Sequence, residues 1–223
     1  MTANTLRRAH KISPIAAIQN EYSPFVLDIE KSTGSSSHGA GLLDACRELG
    51  IAVVAFAPLA RGMLTSTFSN GKQLGDEKDQ RVHAVPRLME KNREANVKAV
   101  KQFTALAEKK GCTTSQLSLA WLLKQGDDIV PIPGTKRIKY LEENWAALDV
   151  HLSDEEEAEI RKFVESAEIV GSRNPETFSG GGGECHRHTG GNVNSKNLTS
   201  LRCVHPGYIF FCASIVLTGW IRS

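Results

Sequence analysis

Three short apolar runs, each leading into an amphipathic segment, organise the first 132 residues of the chain. They cover residues 15–18, 51–56 and 129–132. Such uninterrupted runs are typical of parallel strands that are buried on both faces. The run at 51–56 has no polar alternation, so we predict it as the interior strand. The pattern therefore predicts an α/β fold with parallel strands at about 15–19, 52–56 and 129–132.

Between and after these runs, apolar residues recur at helical spacing and leave one apolar stripe per helix. The stripes are Leu42, Ala45, Cys46 and Leu49; Val97, Val100, Phe103 and Ala107; Ile138, Leu141, Trp145 and Leu148; and Ile160, Phe163 and Val164. Thr113 with Gln116, and Ser153 with Glu156, have the spacing of capping boxes and are predicted to begin two helices. Gly111 is predicted to end the helix before the first of these boxes.

Charge and cysteine usage exclude several classes of function. The chain has 27 basic and 25 acidic side chains, a net charge of +2, and no basic block interleaved with aromatics, so no nucleic acid or membrane partner is predicted. The first eight residues lack the apolar core of a secretory signal, and a cytoplasmic location is expected. The five cysteines have no framework spacing and are predicted to be free thiols, with Cys46 in the core.

Candidate functional residues follow each strand, because parallel β/α units place function where their strands end. The first run leads to Gln19, whose amide suits a carboxamide, although a structural amide at the rim is an equal interpretation. The second leads to Phe56 and the turn 57–62 with Arg61, an aromatic face and a guanidinium for a phosphate. The third leads to residues 133–137, where two cations precede a helix; they are a phosphate site or a solvated first turn.

No dinucleotide-binding glycine motif and no P-loop follows any of the three runs, so a nucleotide would be held in another way. Three segments in this order resemble the aldo-keto reductases. They are QNEYSP at 19–24, FAPLARG at 56–62, and IPGTKR at 132–137 followed by Glu143 and Asn144. The resemblance implies roughly the last three β/α units of a (β/α)8 TIM barrel that binds NADP(H), and it is closest to the microbial branch of the family.

The resemblance implies cofactor contacts for twelve residues. They are Gln19 at the nicotinamide carboxamide, Phe56 on the nicotinamide ring, Pro58, Leu59, Arg61 and Gly62 around the pyrophosphate, Gly134, Thr135, Lys136 and Arg137 around the adenosine 2′-phosphate, and Glu143 and Asn144 at the adenine. Two departures stand out: Gly134 and Tyr140 replace a lysine and an arginine of the classical members.

The family reduces aldehydes and ketones with a tyrosine general acid, a lysine, an aspartate and a histidine. The resemblance places all four before Met1, and none of Tyr22, Tyr140 and Tyr208 lies in a matching group, so no catalytic residue is assigned. Two hypotheses follow: an NADPH-dependent reductase of small carbonyl substrates, or an inactive fragment or pseudoenzyme that at most binds NADP(H). The open barrel edge at 15–19 also predicts self-association.

The family resemblance ends near residue 179, which predicts two regions: 1–179 from the barrel and 180–223 as an unrelated tail. The tail begins with four glycines and is poor in apolar residues up to Ser200, so it is predicted to be disordered. Its last apolar run, 208–221, is shorter than a spanning helix needs. A zinc site among its cysteines and histidines is a weaker hypothesis, because their spacing is not the usual paired one, and no metal site is assigned.

Overall fold

The computed structural model describes residues 1–31, 41–72, 74–75 and 79–172. Its strands are β1 (Ala17–Glu21), β2 (Ala52–Phe56) and β3 (Ile129–Ile132). Its helices are α1 (Ala3–Ile12), α2 (Leu42–Glu48), α3 (Ser66–Ser69), α4 (Gln80–Ala84), α5 (Glu90–Lys110), α6 (Thr114–Lys124), α7 (Ile138–Trp145) and α8 (Asp154–Ser166). Short 3-10 turns lie at Ala60–Gly62, Pro86–Leu88 and Ala146–Asp149.

The strands form one parallel sheet in the order β1-β2-β3, so β2 is the interior strand, as predicted. β2 and β3 have the predicted bounds, whereas β1 spans Ala17–Glu21 rather than 15–19, so Gln19 lies inside the strand and not at its end as predicted. The register explains the shift: Ala17 is opposite Ala52, and the Ala52 amide donates to the Ala16 carbonyl at 3.0 Å. The Ile15 amide donates instead to His10 Nδ1 at 3.2 Å. The sheet is not closed into a barrel within the described residues.

One face of the sheet packs against helices, with α2 on β2 and α6 on β3. Its buried side chains are Ile18, Val53, Ala55 and Ile129. On the opposite face Gln19, Val130 and Ile132 are exposed. The prediction that the strands are buried on both faces is therefore wrong. In a closed barrel the interior side chains cover one another, and the open arrangement of three strands provides no such cover.

Aromatic side chains on the helix side of the sheet form the centre of the core. Tyr22 and Trp121, both fully buried, meet edge to face with ring centres 5.9 Å apart. Phe25 and Phe103 make a similar contact at 5.8 Å. The stripes predicted for α2, α5 and α8 face this core, with Cys46 fully buried among them.

The predicted signals at helix ends are confirmed in detail. Thr113 Oγ1 accepts a hydrogen bond from the Gln116 amide at 3.2 Å, and the Gln116 side chain accepts from the Thr113 amide at 2.9 Å. Ser153 and Glu156 make the same reciprocal pair at the start of α8. Gly111 ends α5 in the left-handed conformation, at φ +75°. These two boxes fix where α6 and α8 begin.

The apolar stripe of α7 and the turn after it lies at the surface. Its members are 50% to 75% exposed: Ile138, Leu141, Trp145 and Leu148. A contiguous apolar face of this kind ordinarily packs against another element. Nothing in the described part of the chain covers it, so it is an unpartnered face of this fold.

Several sequence-based predictions concern residues outside the described ranges. They are the disordered tail and the weaker zinc hypothesis in that tail. In the described part, no helix combines the length and the apolar character needed to cross a bilayer. Cys46 and Cys112, the cysteines within it, are free thiols, as predicted.

Candidate cofactor site

Strands β1 and β2 place Gln19 and Phe56 on the same face of the sheet. The register sets Gln19 opposite Val54 and Glu21 opposite Phe56. Alternate residues of a strand share a face, so Gln19, Val54 and Phe56 lie on the same face of the sheet. The exposed amide of Gln19 is opposite Val54, two residues along β2 from the half-buried ring of Phe56. An aromatic face beside an amide suits a planar heterocycle that carries a carboxamide.

The turn after β2 has an unusual backbone. Ala57, Ala60 and Arg61 have φ of 50°, 48° and 58°, and they are the non-glycine residues with positive φ in the described part of the chain. Each such residue costs about 1–2 kcal/mol, and this strain clusters at functional sites. Gly62 follows at φ +102°, where a Cβ would approach Arg81 Nη1 to 3.1 Å. The surrounding residues therefore stabilise a backbone conformation that these residues would not favour in isolation.

Side chains outside the strained turn hold its carbonyl groups. Ser118 Oγ donates to Pro58 O (2.8 Å), Arg81 Nη1 to Arg61 O (3.0 Å), Thr65 Oγ1 to Gly62 O (2.7 Å) and Ser115 Oγ to Leu64 O (3.3 Å). Ser115 and Ser118 are buried residues of α6. Sequence reasoning missed these four donors, because three of them lie 20 to 60 positions from their acceptors.

An ion pair connects the strained turn to β1. Arg61 Nε lies 3.8 Å from Glu21 Oε1. The Glu21 side chain is only 7% exposed, and that of Arg61 is 29% exposed. Glu21 was not among the predicted site residues. The sequence marks Glu21 only as a single carboxylate near the end of a strand. Charged residues are seldom buried without a partner, and this one is followed three positions later by Pro24, which is buried.

The turn after β3 presents residues 134–137 to solvent. Thr135 Oγ1 accepts from the Arg137 amide at 3.2 Å, and Arg137 is the N-cap of α7 without a side-chain cap of its own. The first turn of α7 has no acidic residue, so nothing there offsets the positive end of the helix dipole. A Cβ at Gly134 would meet no atom within 4 Å, so packing does not require glycine there.

The segments that follow β2 and β3 approach one another at Asp79 and Lys136. Arg81 donates to both carboxylate oxygens of Asp79, with Nε to Oδ1 at 2.9 Å. These hydrogen bonds lower the pKa of Asp79, and the positive charge of Lys136 lowers it further. Asp79 and Lys136 therefore lie within electrostatic range, although they belong to the segments after β2 and β3.

Glu143 and Asn144, both half-buried, lie in the last turn of α7. The carboxylate of Glu143 accepts a hydrogen bond from Thr113 Oγ1 at 2.8 Å. Its main-chain carbonyl accepts one from Gln116 Nε2 at 3.3 Å. Glu143 thus connects α7 to the start of α6, and its contact with adenine, like that of Asn144, stays a prediction.

Two tyrosines, Tyr22 and Tyr140, lie in the part of the chain that the structure describes. Tyr22 is fully buried and donates to Glu30, and burial together with that hydrogen bond raises its pKa far above the usual range. Tyr140 is exposed on α7, with the Arg137 guanidinium 6.0 Å from its ring centre. Within residues 1–31, 41–72, 74–75 and 79–172, no three His, Cys, Asp or Glu side chains group as metal ligands.

Three parallel strands, with a strained turn after β2 and a cationic turn after β3, define an α/β protein with a candidate nucleotide site where these two strands end. A model of the Aldo/keto reductase family matches residues 1–165, and the chain belongs to that family. It is 47% identical over 174 residues to aldo-keto reductase yakc of Schizosaccharomyces pombe, whose name specifies NADP(+). It is 43% identical over 173 residues to aldo-keto reductase str7 of Strobilurus tenacellus.

Each of these two alignments covers 78% of this chain and 49% of the relative, so the chain spans about half the length of the relatives it matches. The fold is similar to that of a glycerol dehydrogenase of Gluconobacter oxydans, with a TM-score of 0.62 and 23% identity over 75% of this chain and 47% of that one. The family has a TIM-barrel fold and uses NADP(H), which confirms the resemblance inferred from sequence.

Proposed function

We propose that this chain provides the NADP(H)-binding part of an aldo-keto reductase that reduces aldehydes or ketones to alcohols. The observation that carries the proposal is the arrangement of polar and aromatic side chains on one face of the sheet, beside the turns that follow β2 and β3. Gln19 and Phe56 share one face of the sheet, and the turns with Arg61 and with residues 134–137 follow the neighbouring strands β2 and β3. A dinucleotide needs an aromatic face for its nicotinamide and cations for its phosphates, and these strand ends offer both.

The chain alone is proposed to bind the cofactor without completing the reaction, as an inactive fragment or pseudoenzyme would. Reduction moves a hydride from the nicotinamide to the carbonyl carbon and a proton to the carbonyl oxygen. Tyr22 keeps its proton inside the core, and Tyr140 lies on the exposed side of α7. These placements support an assignment of no catalytic residue. The runner-up function, turnover by this chain itself, requires another group to deliver the proton.

Self-association is a further part of the proposal. The sheet has two outer strands, β1 and β3, and among the described residues neither has a neighbour on its outer side. The exposed stripe of α7 follows β3 directly. Unpaired strand edges and apolar surface both favour contact with another chain. The proposal also takes the described part as roughly the last three units of a barrel, in a cytoplasmic protein.

A titration of the purified chain with NADPH, followed by nicotinamide fluorescence, tests the proposed function. Saturable binding is expected. Phe56→Leu keeps apolar volume but removes the ring, and it should weaken binding about 2- to 10-fold because stacking contributes ~0.5–1.5 kcal/mol. Phe163→Leu makes the same change to a half-buried ring on α8 and should leave affinity unchanged. Absence of saturable binding, or equal effects of the two variants, would contradict the proposal.

A further inference from the structure

Arg61 is held from two sides by residues outside its own turn. Its side chain meets Glu21 of β1, and its carbonyl accepts from Arg81 Nη1 at 3.0 Å. Its backbone is left-handed, at φ +58°. A non-glycine residue keeps such a conformation only where its surroundings over-determine it. The two contacts supply that constraint, one on the side chain and one on the main chain.

Glu21 approaches the guanidinium of Arg61 from the Nε side. The atom nearest Glu21 is Nε, at 3.8 Å from Oε1. The two terminal amino groups of an arginine lie at the opposite end of its guanidinium, and arginine binds phosphate through two parallel N–H groups. A carboxylate that is 7% exposed is costly to bury without a cation, and Arg61 supplies a cation beside Glu21.

We propose that Glu21 is a positioning residue that orients Arg61 toward the pyrophosphate of the cofactor. The inference rests on the proposed NADP(H) site and adds to it a residue that touches Arg61 rather than the cofactor. A positioning role and a simple electrostatic role of Glu21 predict opposite changes in cofactor affinity for Glu21→Gln. A carboxylate near a pyrophosphate repels it, so Glu21→Gln would tighten cofactor binding if charge alone mattered. Loss of orientation weakens binding instead.

Amide hydrogen exchange of the full chain tests the positioning without any cofactor. In Glu21→Gln, exchange of the segment 57–64 should quicken about tenfold, while α5 and α8 keep their protection. Glu48→Gln is the matched control. It neutralises an exposed carboxylate at the end of α2 that pairs with Arg7 of α1 at 2.6 Å, and it should leave the segment unchanged. Unaltered exchange of 57–64 in Glu21→Gln would overturn the inference.

Cofactor titration gives the second readout. Glu21→Gln should weaken NADPH and NADH about equally, by roughly 5- to 10-fold, because both cofactors contain the pyrophosphate. Tighter or unchanged binding would overturn the inference. If the unsubstituted chain binds neither cofactor, the proposed function fails, and the exchange result still decides whether Glu21 holds the turn. If Glu21→Gln does not fold, Arg61→Gln removes the same pair from its more exposed side, and an unchanged segment 57–64 again overturns the inference.

Discussion

The guanidinium of Arg161 on α8 lies over the indole of Trp121 on α6, 4.7 Å from the ring centre. The same guanidinium donates to Glu30 at 2.7 Å, and Glu30 also accepts from the buried Tyr22 hydroxyl. One arginine thus joins the segment after β1 to two helices. The cluster combines a cation over an aromatic ring with a partly buried, hydrogen-bonded ion pair.

Arg161→Ala should lower the free energy of unfolding by about 2–3 kcal/mol, because it removes the cation and leaves the Glu30 carboxylate half-buried without it. Urea denaturation measures the change. Lys109→Ala is the control, since it removes an exposed ion pair with Glu159, and a loss below about 1 kcal/mol is expected. Equal losses in the two variants would show that the Arg161 cluster adds no more than a surface pair.

Stability should fall as pH rises above 9. Burial raises the pKa of the Cys46 thiol from an ordinary 9.0 to about 11. In this interval the unfolded chain ionises the thiol while the folded chain keeps it protonated, so folding loses free energy with rising pH. Urea denaturation from pH 8 to pH 11 should show a decline that is about 2 kcal/mol smaller in Cys46→Ala. An identical decline in Cys46→Ala would refute this assignment.

Arg137→Ala should weaken NADPH more than NADH, because only NADPH carries the 2′-phosphate. The exposed cations Lys136 and Arg137 precede the uncapped start of α7, and a charge-assisted contact contributes ~1.5–3 kcal/mol when well formed. Parallel titrations with the two cofactors measure the ratio. Arg8→Ala, which removes an exposed arginine from α1, should leave the ratio unchanged. An equal loss of affinity for both cofactors in Arg137→Ala would contradict the assignment of Arg137 to the 2′-phosphate.

The purified chain should show no NADPH-dependent reduction of a nitrobenzaldehyde. The proposal assigns no general acid to this chain, because Tyr22 keeps its proton in the core and Tyr140 is exposed on α7. Loss of a general acid costs ~10²–10⁴-fold. Absorbance at the NADPH band measures turnover, in a preparation shown by mass spectrometry to lack host reductases. Turnover at the rates usual for the family would mean that another group supplies the proton.

Trp145→Glu should reduce self-association, because it places a charge in the exposed apolar stripe of α7. Dynamic light scattering over a range of protein concentrations measures the effect. Lys139→Glu lies on the same helix outside the stripe. It changes the net charge by −2, compared with −1 for Trp145→Glu, yet it should change assembly less because it leaves the apolar stripe intact. A monomeric unsubstituted chain that unfolds cooperatively would contradict the proposed association.

Local signals predicted most of the architecture. The capping boxes at Thr113 and Ser153, and the glycine at 111, act through neighbouring residues, so sequence spacing suffices to locate them. Pairing is not local. The start of β1 is set by the partner at Ala52 rather than by the apolar side chain of Ile15, and the prediction erred there by two residues.

The same distinction between local and non-local interactions applies to the candidate site. Strand ends and an aromatic at Phe56 were visible in the sequence, because each follows an apolar run. Glu21, Arg81 and Ser118 were not, because each acts on the turn after β2 from a distant part of the chain. The sequence also did not predict that the α7 stripe is exposed, because this depends on non-local packing. Periodicity predicts an apolar face, but it does not specify what covers that face.

The register of the sheet also bears on how the chain reaches its fold. Ala17 pairs with Ala52, 35 positions later, and Val53 pairs with Ile129, 76 positions later. Each pair can form only after the ends of a long intervening segment have been brought together, which costs chain entropy. By contrast, α5 and α6 are joined by three residues. Helical hairpins of this kind form quickly, whereas remote parallel pairings are slow. The sheet is therefore expected to assemble last, and refolding yield should fall as protein concentration rises.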